Sequence, residues 1–262
     1  MNTPLIVKVG GAFIDSKDAA AALFDSLQTV LRDRPVIMVH GGGPLVEDLI
    51  QRLGLKTNKI QGLRVTPDEQ MPYICGALAG AANKQLCASA KACRLNVVGL
   101  SLLDGDLVTC EALPEQFGAV GTPQANNPAL LTQLLGQGYV PIISSIGCDG
   151  NGRLLNINAD QAATVIAQLT GGDLYLLSDV EGVLDQNKQR YGSLTAEQIE
   201  SAVKAGIITE GMQVKVDAAL LAANTLSRPI TIGSWRASLT ALAEHQTGTQ
   251  IYPANKLSGS HS

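Results

Sequence analysis

The chain has 262 residues, 45% of them apolar but only 3% aromatic, so its core must be built mostly of Leu, Val, Ile and Ala. That length suits one large α/β domain or two tightly joined lobes, and it buries enough surface to need no disulfides. A formal charge of −4, from 19 basic and 23 acidic side chains, argues against nucleic acid as a generic partner, and no apolar run reaches membrane-spanning length.

Leu5-Ile6-Val7-Lys8-Val9-Gly10-Gly11 opens the chain as a short apolar run closed by two glycines. Such a run reads as a strand buried on both faces, as in a parallel sheet. Lys8 is expensive there, because its charge must be desolvated or paired. Gly10 and Gly11 permit a turn with positive φ and close approach to bare backbone N–H groups. A cation beside donor-rich backbone suits an anion with several oxygens; the plainer reading is a lysine that snorkels out at a sheet edge.

Asp15 or Ser16 then caps a helix whose apolar stripe is Ala19, Leu23, Leu27 and Leu31. Residues 35–39 form a second strand, followed by His40-Gly41-Gly42-Gly43-Pro44. Pro44 fits the first position of the next helix, which packs through Val46, Leu49, Ile50 and Leu53 and ends at Gly54. Strand, glycine loop and helix start thus occur twice within 54 residues, the usual way an α/β sheet offers backbone donors to phosphate or carboxylate. Neither loop has the dinucleotide or Walker spacing.

Residues 56–66 are polar and extended, with Arg64 near their end. Thr66-Pro67-Asp68-Glu69 predicts a capping box opening a long helix to about Arg94, kinked near Pro72. Gly76, Ala77, Gly80, Ala81 and Ala82 give that helix small faces, for packing within the chain or against a second subunit. A strand at 96–100 and a meander of short strands over 101–126 follow, then a short helix from Pro128 and a buried strand at 139–144. Residues 153–160 lead into a helix facing inward through Ala163, Ile166 and Ala167. Residues 173–178 form a further strand, Thr195 and Gln198 a second capping box, Gly211 onward a helix, and residues 229–232 and 248–251 the last strands. Strands alternating with helices call for a mostly parallel sheet covered on both faces. The polar tail, 257–262, reads as a frayed end.

Cys75, Cys87, Cys93, Cys110 and Cys148 show no CxxC pair and no companion histidine spacing, so reduced thiols in a cytoplasmic protein are expected, with no metal site. In a doubly wound sheet, Lys8-Gly10-Gly11, the Gly41–Gly43 loop, Asn156/Asn158/Asp160 and Lys215 could meet outside the strands' carboxyl ends. Two lysines and backbone donors fit phosphoryl transfer, which needs position and positive field more than a covalent nucleophile. Asp160 between the lysines would offset their repulsion. Each residue also has a plain structural reading: Asn156 and Asn158 as turn residues, Asp160 as a helix cap, Lys215 on a solvated helix face, His40 as a donor to the neighbouring backbone.

VKVGG at 7–11, HGGGP at 40–44, GLRVT at 62–66, ALAGAANK at 77–84, NINADQAA at 156–163, SDVEGVLD at 178–185 and IITEGMQVKV at 207–216 together resemble the N-acetylglutamate kinases of the amino acid kinase superfamily. The first and fifth motifs indicate the superfamily; GLRVT with ALAGAANK narrows it and argues against carbamate, aspartate, uridylate and glutamate 5-kinases. The resemblance implies a three-layer αβα sandwich around a mostly parallel sheet. It implies an N-acetylglutamate-binding and dimerisation lobe over residues 1–173 and an ATP-binding lobe over 174–262. It implies transfer of the γ-phosphoryl group of ATP to N-acetyl-L-glutamate, in arginine synthesis, with Mg²⁺ carried on the phosphates.

By the same resemblance, Lys8 and Lys215 stabilise the transferring group, Asp160 orients both, and the Gly11 backbone binds phosphoryl oxygens. Gly42, Gly43, Arg64, Asn156 and Asn158 hold the acetylated amino acid, Arg64 by clamping its α-carboxylate. Asp179, Val180, Glu181, Gly182, Val183 and Leu184, with Ile207, Ile208 and Thr209, line the nucleotide site. Arginine-inhibited hexameric members carry an additional helix before the first strand; with that strand starting at Leu5, the resemblance is to the short homodimeric members, without arginine inhibition. The alternatives are an N-acetyl-2-aminoadipate kinase of lysine synthesis, and a nucleotide-binding sensor that has lost catalysis. Retention of both lysines and Asp160 speaks against the sensor.

Overall fold

The computed structural model describes residues 2–254, apart from the side chains of Lys17 and Glu210. β1 (Leu5–Val9) passes through a short helix α1 (Gly11–Ile14) into α2 (Lys17–Val30), β2 (Val36–His40) and α3 (Gly43–Arg52). A ribbon of β3 (Lys59–Ile60) and β4 (Leu63–Arg64) follows. The long helical run then comprises a 3-10 turn at Asp68–Gln70, α4 (Met71–Cys75), a π-helical stretch at Gly76–Ala82 and α5 (Asn83–Ala92). Next come β5 (Val97–Ser101), β6 (Val108–Ala112), β7 (Val120–Ala125), α6 (Ala129–Gly136), β8 (Val140–Ser144), β9 (Ile146–Cys148), β10 (Leu154–Ile157) and α7 (Ala159–Thr170). The chain finishes with β11 (Asp173–Ser178), β12 (Ser193–Leu194), α8 (Ala196–Lys204), α9 (Glu210–Leu226), β13 (Ile230–Ser234), α10 (Leu239–Ala243) and β14 (Thr249–Ile251).

The main sheet has the order β12-β14-β13-β11-β1-β2-β8-β5 and is parallel except where β14 meets β13. Helices cover both faces, giving the three-layer αβα sandwich. β1 lies near the centre, with Lys8 opposite Val39 of β2 and Leu176 of β11. From β1 the chain builds one half of the sheet, then crosses to the other side at β11. That reversal leaves a crevice outside the carboxyl ends of β1 and β11. A smaller sheet, β6-β7-β10-β9, stands beside the main one, and its β10 delivers Asn156 to the start of α7.

Period-two alternation decides which face each site residue meets. Leu5, Val7 and Val9 pack with α2 and α10, whereas Ile6 packs with buried residues of α3, α7 and α9. Lys8 shares the parity of Ile6, so it belongs to the face that also carries Asp160 and Lys215.

The local signals were unequal. Thr195 and Gln198 form the reciprocal capping box of α8, since both partners lie within one turn. Thr66 does not cap its helix: its backbone is drawn into pairing with Phe117 and Ala119, and its hydroxyl donates to the Arg64 carbonyl. The helix therefore starts as a 3-10 turn with Pro72 in the first turn of α4, and its small-residue stretch is π-helical. Leu53, expected on the buried face of α3, is its exposed C-cap. The five cysteines are unpaired. No helix among the described residues is long and apolar enough to cross a membrane. The tail, 257–262, lies outside the described residues.

Candidate active site

Lys8 projects from the carboxyl half of β1 and is mostly withdrawn from solvent, with 16% of its side chain exposed. Its Nζ lies 2.7 Å from Asp160 Oδ1, in the first turn of α7. That carboxylate is free for the task because Asn158 caps the helix: its Oδ1 accepts from the N–H groups of Asp160 and Gln161, at 2.8 and 3.2 Å. Lys215, in α9, lines the same small cavity as Lys8 and Asp160, together with Ser178. Its ion pair is with Asp179 Oδ1 at 3.2 Å, so Asp160 holds one of the two lysines in this arrangement and Asp179 the other. Lys215 holds the Asp179 carboxyl below its ordinary range, first by hydrogen bonding and then by charge.

The two glycine loops touch. A methyl group on Gly11 would come within 2.9 Å of Gly43 N and 3.1 Å of the Gly42 carbonyl carbon. Gly10 has φ −80°, and neither it nor Gly11 has positive φ. Glycine is thus required at Gly11 for backbone approach and at neither position for a left-handed turn; a Cβ on Gly10 would meet only the Trp235 ring, at 4.0 Å, which corrects the sequence expectation for that residue. Beside the loops lies a cavity of about 160 Å³ bordered by Gly41–Gly43, Arg64, Asn156 and Asn158. The structure therefore brings Gly42, Gly43, Arg64, Asn156 and Asn158 to one place. α7 joins this cavity to the lysines, since Asn158 and Ala159 line it and Asp160 faces Lys8.

Arg64 is carried in by the β3–β4 ribbon, closed by Gln61 and Gly62, both with positive φ as a two-residue hairpin loop demands. Its guanidinium lies 2.9 Å from Glu47 Oε2 and donates to Thr57 Oγ1 at 3.1 Å and to the Gly43 carbonyl at 3.3 Å. Arg64 holds the Glu47 carboxyl below its ordinary value. Asn156 donates to Thr66 Oγ1 at 3.1 Å. Of these anchors the sequence names Thr66 only as a helix cap, and it points to neither Glu47 nor Thr57. Thr66 sits inside the GLRVT motif, but Glu47 and Thr57 have no local signal, because only the ribbon's return brings Arg64 to them.

Asp179, Val180, Glu181, Gly182, Val183 and Leu184 follow the carboxyl end of β11. Asp179, Glu181 and Leu184 are exposed; Val183 is buried, its N–H donating to Thr249 Oγ1 at 2.9 Å. Ile207, Ile208 and Thr209 precede α9, with Ile208 buried and Thr209 as the exposed N-cap. Both segments thus lie at ends of the elements that hold Asp179 and Lys215. His40 takes its plain reading, with Nδ1 2.8 Å from the Gly41 carbonyl oxygen.

Residues 3–234 match the pattern of the amino acid kinase family. The acetylglutamate kinase of Pectobacterium atrosepticum is 52% identical over 235 residues, covering 89% of this chain and 91% of that one. The acetylglutamate kinase of Aeromonas salmonicida is 49% identical over 252 residues, covering 94% and 97%. Among solved structures, smu.665 from Streptococcus mutans superposes with a TM-score of 0.80 at 27% identity, covering 97% of this chain and 100% of that one.

Proposed function

The chain belongs to the amino acid kinase family, and from that premise we propose that it transfers the γ-phosphoryl group of ATP to the side-chain carboxylate of N-acetyl-L-glutamate. The product is N-acetyl-L-glutamyl 5-phosphate, and the step is the second of arginine synthesis. About half of the residues are shared with acetylglutamate kinases along nearly the whole chain. The observation that carries the reading is the Lys8–Asp160 ion pair beside a glycine-walled cavity that also holds Arg64 and Asn156.

In this reading the acceptor carboxylate lies against the Gly42–Gly43 backbone, Arg64 takes the α-carboxylate, and Asn156 and Asn158 border the acetamido group. Asn158 Oδ1 is committed to the helix cap, which leaves its amide N–H groups for the substrate. Lys8, Lys215 and the Gly11 backbone face the phosphoryl group in transit, where fixed positive charge lowers the barrier. Asp160 orients Lys8 directly. Asp179 to Leu184 and Ile207 to Thr209 border the nucleotide, which arrives with Mg²⁺ on its phosphate oxygens, hard ligands suited to that ion. Residues 1–173 form the acceptor and dimerisation lobe and 174–262 the nucleotide lobe, a division that follows the chain's crossing of β1 at β11. The compartment is the cytoplasm, where the unpaired thiols stay reduced.

A coupled ATP-consumption assay tests this. Turnover is expected with N-acetyl-L-glutamate, none with free glutamate, and about 10- to 200-fold lower efficiency with N-acetyl-2-aminoadipate, the range one methylene allows. No turnover on acetylglutamate, or equal efficiency on the longer substrate, would overturn the assignment.

The enzyme is further proposed to be a homodimer joined through the small-residue surface of the helical run. Added methyl groups at Gly76 and Gly80 would meet nothing within 4 Å in their own subunit. Ala77 and Ala82, by contrast, are buried in their own subunit's core. Gly80→Leu should therefore leave the subunit folded while weakening the dimer by about 1–3 kcal/mol through overpacking. Sedimentation velocity reads the outcome: a wild-type monomer or hexamer, or a variant dimer as tight as wild type, would count against this contact.

A further inference from the structure

His40 and Asn83 are fully buried although both are polar. His40 ends β2 with the parity of Met38, so it belongs to the face on which Met38 packs with Ala82 and Leu86, the neighbours of Asn83. Its Nδ1 lies 2.8 Å from the Gly41 carbonyl oxygen. A carbonyl only accepts, so Nδ1 carries the proton and Nε2 is left as an acceptor. Asn83 Nδ2 meets Nε2 at 3.1 Å and also reaches the carbonyls of Ile142 at 2.8 Å and Leu100 at 3.3 Å; of its two hydrogens one goes to Ile142 and the other to the nearer of the remaining acceptors, Nε2. Asn83 Oδ1 takes the Lys84 ammonium at 3.0 Å, which sets which end of the amide faces the histidine. Burial pushes the imidazole down to about 4, with Lys84 adding in the same direction, so His40 is neutral in the working range.

The consequence reaches the substrate cavity through one peptide plane. A trans peptide points its C=O and its N–H in opposite directions. Holding the Gly41 carbonyl toward the imidazole turns the Gly42 N–H away from it, and Gly42 lines the cavity. We propose that His40 and Asn83 are positioning residues for the acceptor site: Asn83 fixes the Nδ1–H tautomer of His40, and His40 fixes the Gly41–Gly42 peptide that presents the Gly42 N–H to a substrate oxygen. This rests on the reading of that cavity as the acceptor site.

Two substitutions separate positioning from packing. In His40→Asn the amide nitrogen stands where Nδ1 was and keeps the donor to Gly41; in His40→Gln the amide reaches toward the Nε2 position and that donor is lost. His40→Asn should retain kcat within a few-fold, while His40→Gln should lose about tenfold or more in kcat with little change in the KM for ATP, as for a misplaced oxyanion donor. Similar losses in both variants, or none in either, would overturn the proposal. The ¹⁵N shifts of His40 in the wild-type protein need no variant to fold. They should report protonated Nδ1 and bare Nε2, unchanged between pH 6 and 8 (a window about two units or more above the buried imidazole's titration). The opposite tautomer, or titration in that window, would also overturn it. An active wild type with either contrary result sinks this inference alone, whereas an inactive wild type sinks the kinase reading on which it rests.

Discussion

Replacing Lys8 or Lys215 with arginine is expected to lower turnover by about 10²-fold or more, the scale for losing a preorganised charge donor. Lys8 is fitted to its place: it leaves a strand between Val39 and Leu176 and meets Asp160 at 2.7 Å. Arginine is longer, and its planar fork would engage the carboxylate in a bidentate pair, drawing the charge away from the cavity. Lys215 is twice as exposed, at 34%, and sits opposite Asp179, so its variant should fold at least as well. Net charge is unchanged in both variants, which makes geometry the tested quantity. The measurement is kcat at saturating substrates, with circular dichroism and thermal unfolding to establish the fold. Near-normal turnover in a folded variant would remove that lysine from the phosphoryl site.

Arg64→Lys should raise the KM for N-acetyl-L-glutamate by about 10- to 100-fold and leave that for ATP little changed. The range follows from losing a charge-assisted hydrogen bond that a point charge cannot reproduce. Arg64 is already fixed by Glu47, Thr57 and the Gly43 carbonyl, and only 13% of its side chain is exposed. A preformed guanidinium has little entropy left to lose when the substrate arrives. A lysine has three donors and a flexible stem, so it cannot keep these anchors and bind a carboxylate as well. Initial-rate kinetics with each substrate varied in turn will decide. Equal rises in both KM values would move Arg64 off the carboxylate and make it a support of the loop.

Short-range features were legible in the chain itself. The apolar run around Lys8, the α2 stripe of Ala19, Leu23 and Leu27, the capping box of α8 and the strand at 173–178 each depend on residues a few positions apart, and each formed as read. Leu31, by contrast, is the half-buried C-cap of α2, and Ser16 stands at its N-cap without a side-chain hydrogen bond. The motifs also identified the family, and through it the sandwich. Contacts that the sheet makes between distant segments were not legible. Thr66 has the residues of a capping box but is taken by Phe117, Ala119 and Asn156, more than fifty positions away. Gly11 is glycine because another loop's backbone lies against it, not because of its own φ. Arg64 received its anchors from a hairpin turn, and Lys215 its carboxylate partner from the end of β11. His40 and Asn83 meet because alternation along β2 turns the ring toward the helical layer that carries Asn83. Propensity and periodicity act within a turn or a strand, whereas which loops touch is set by strand order, and strand order is decided only when the whole core packs at once.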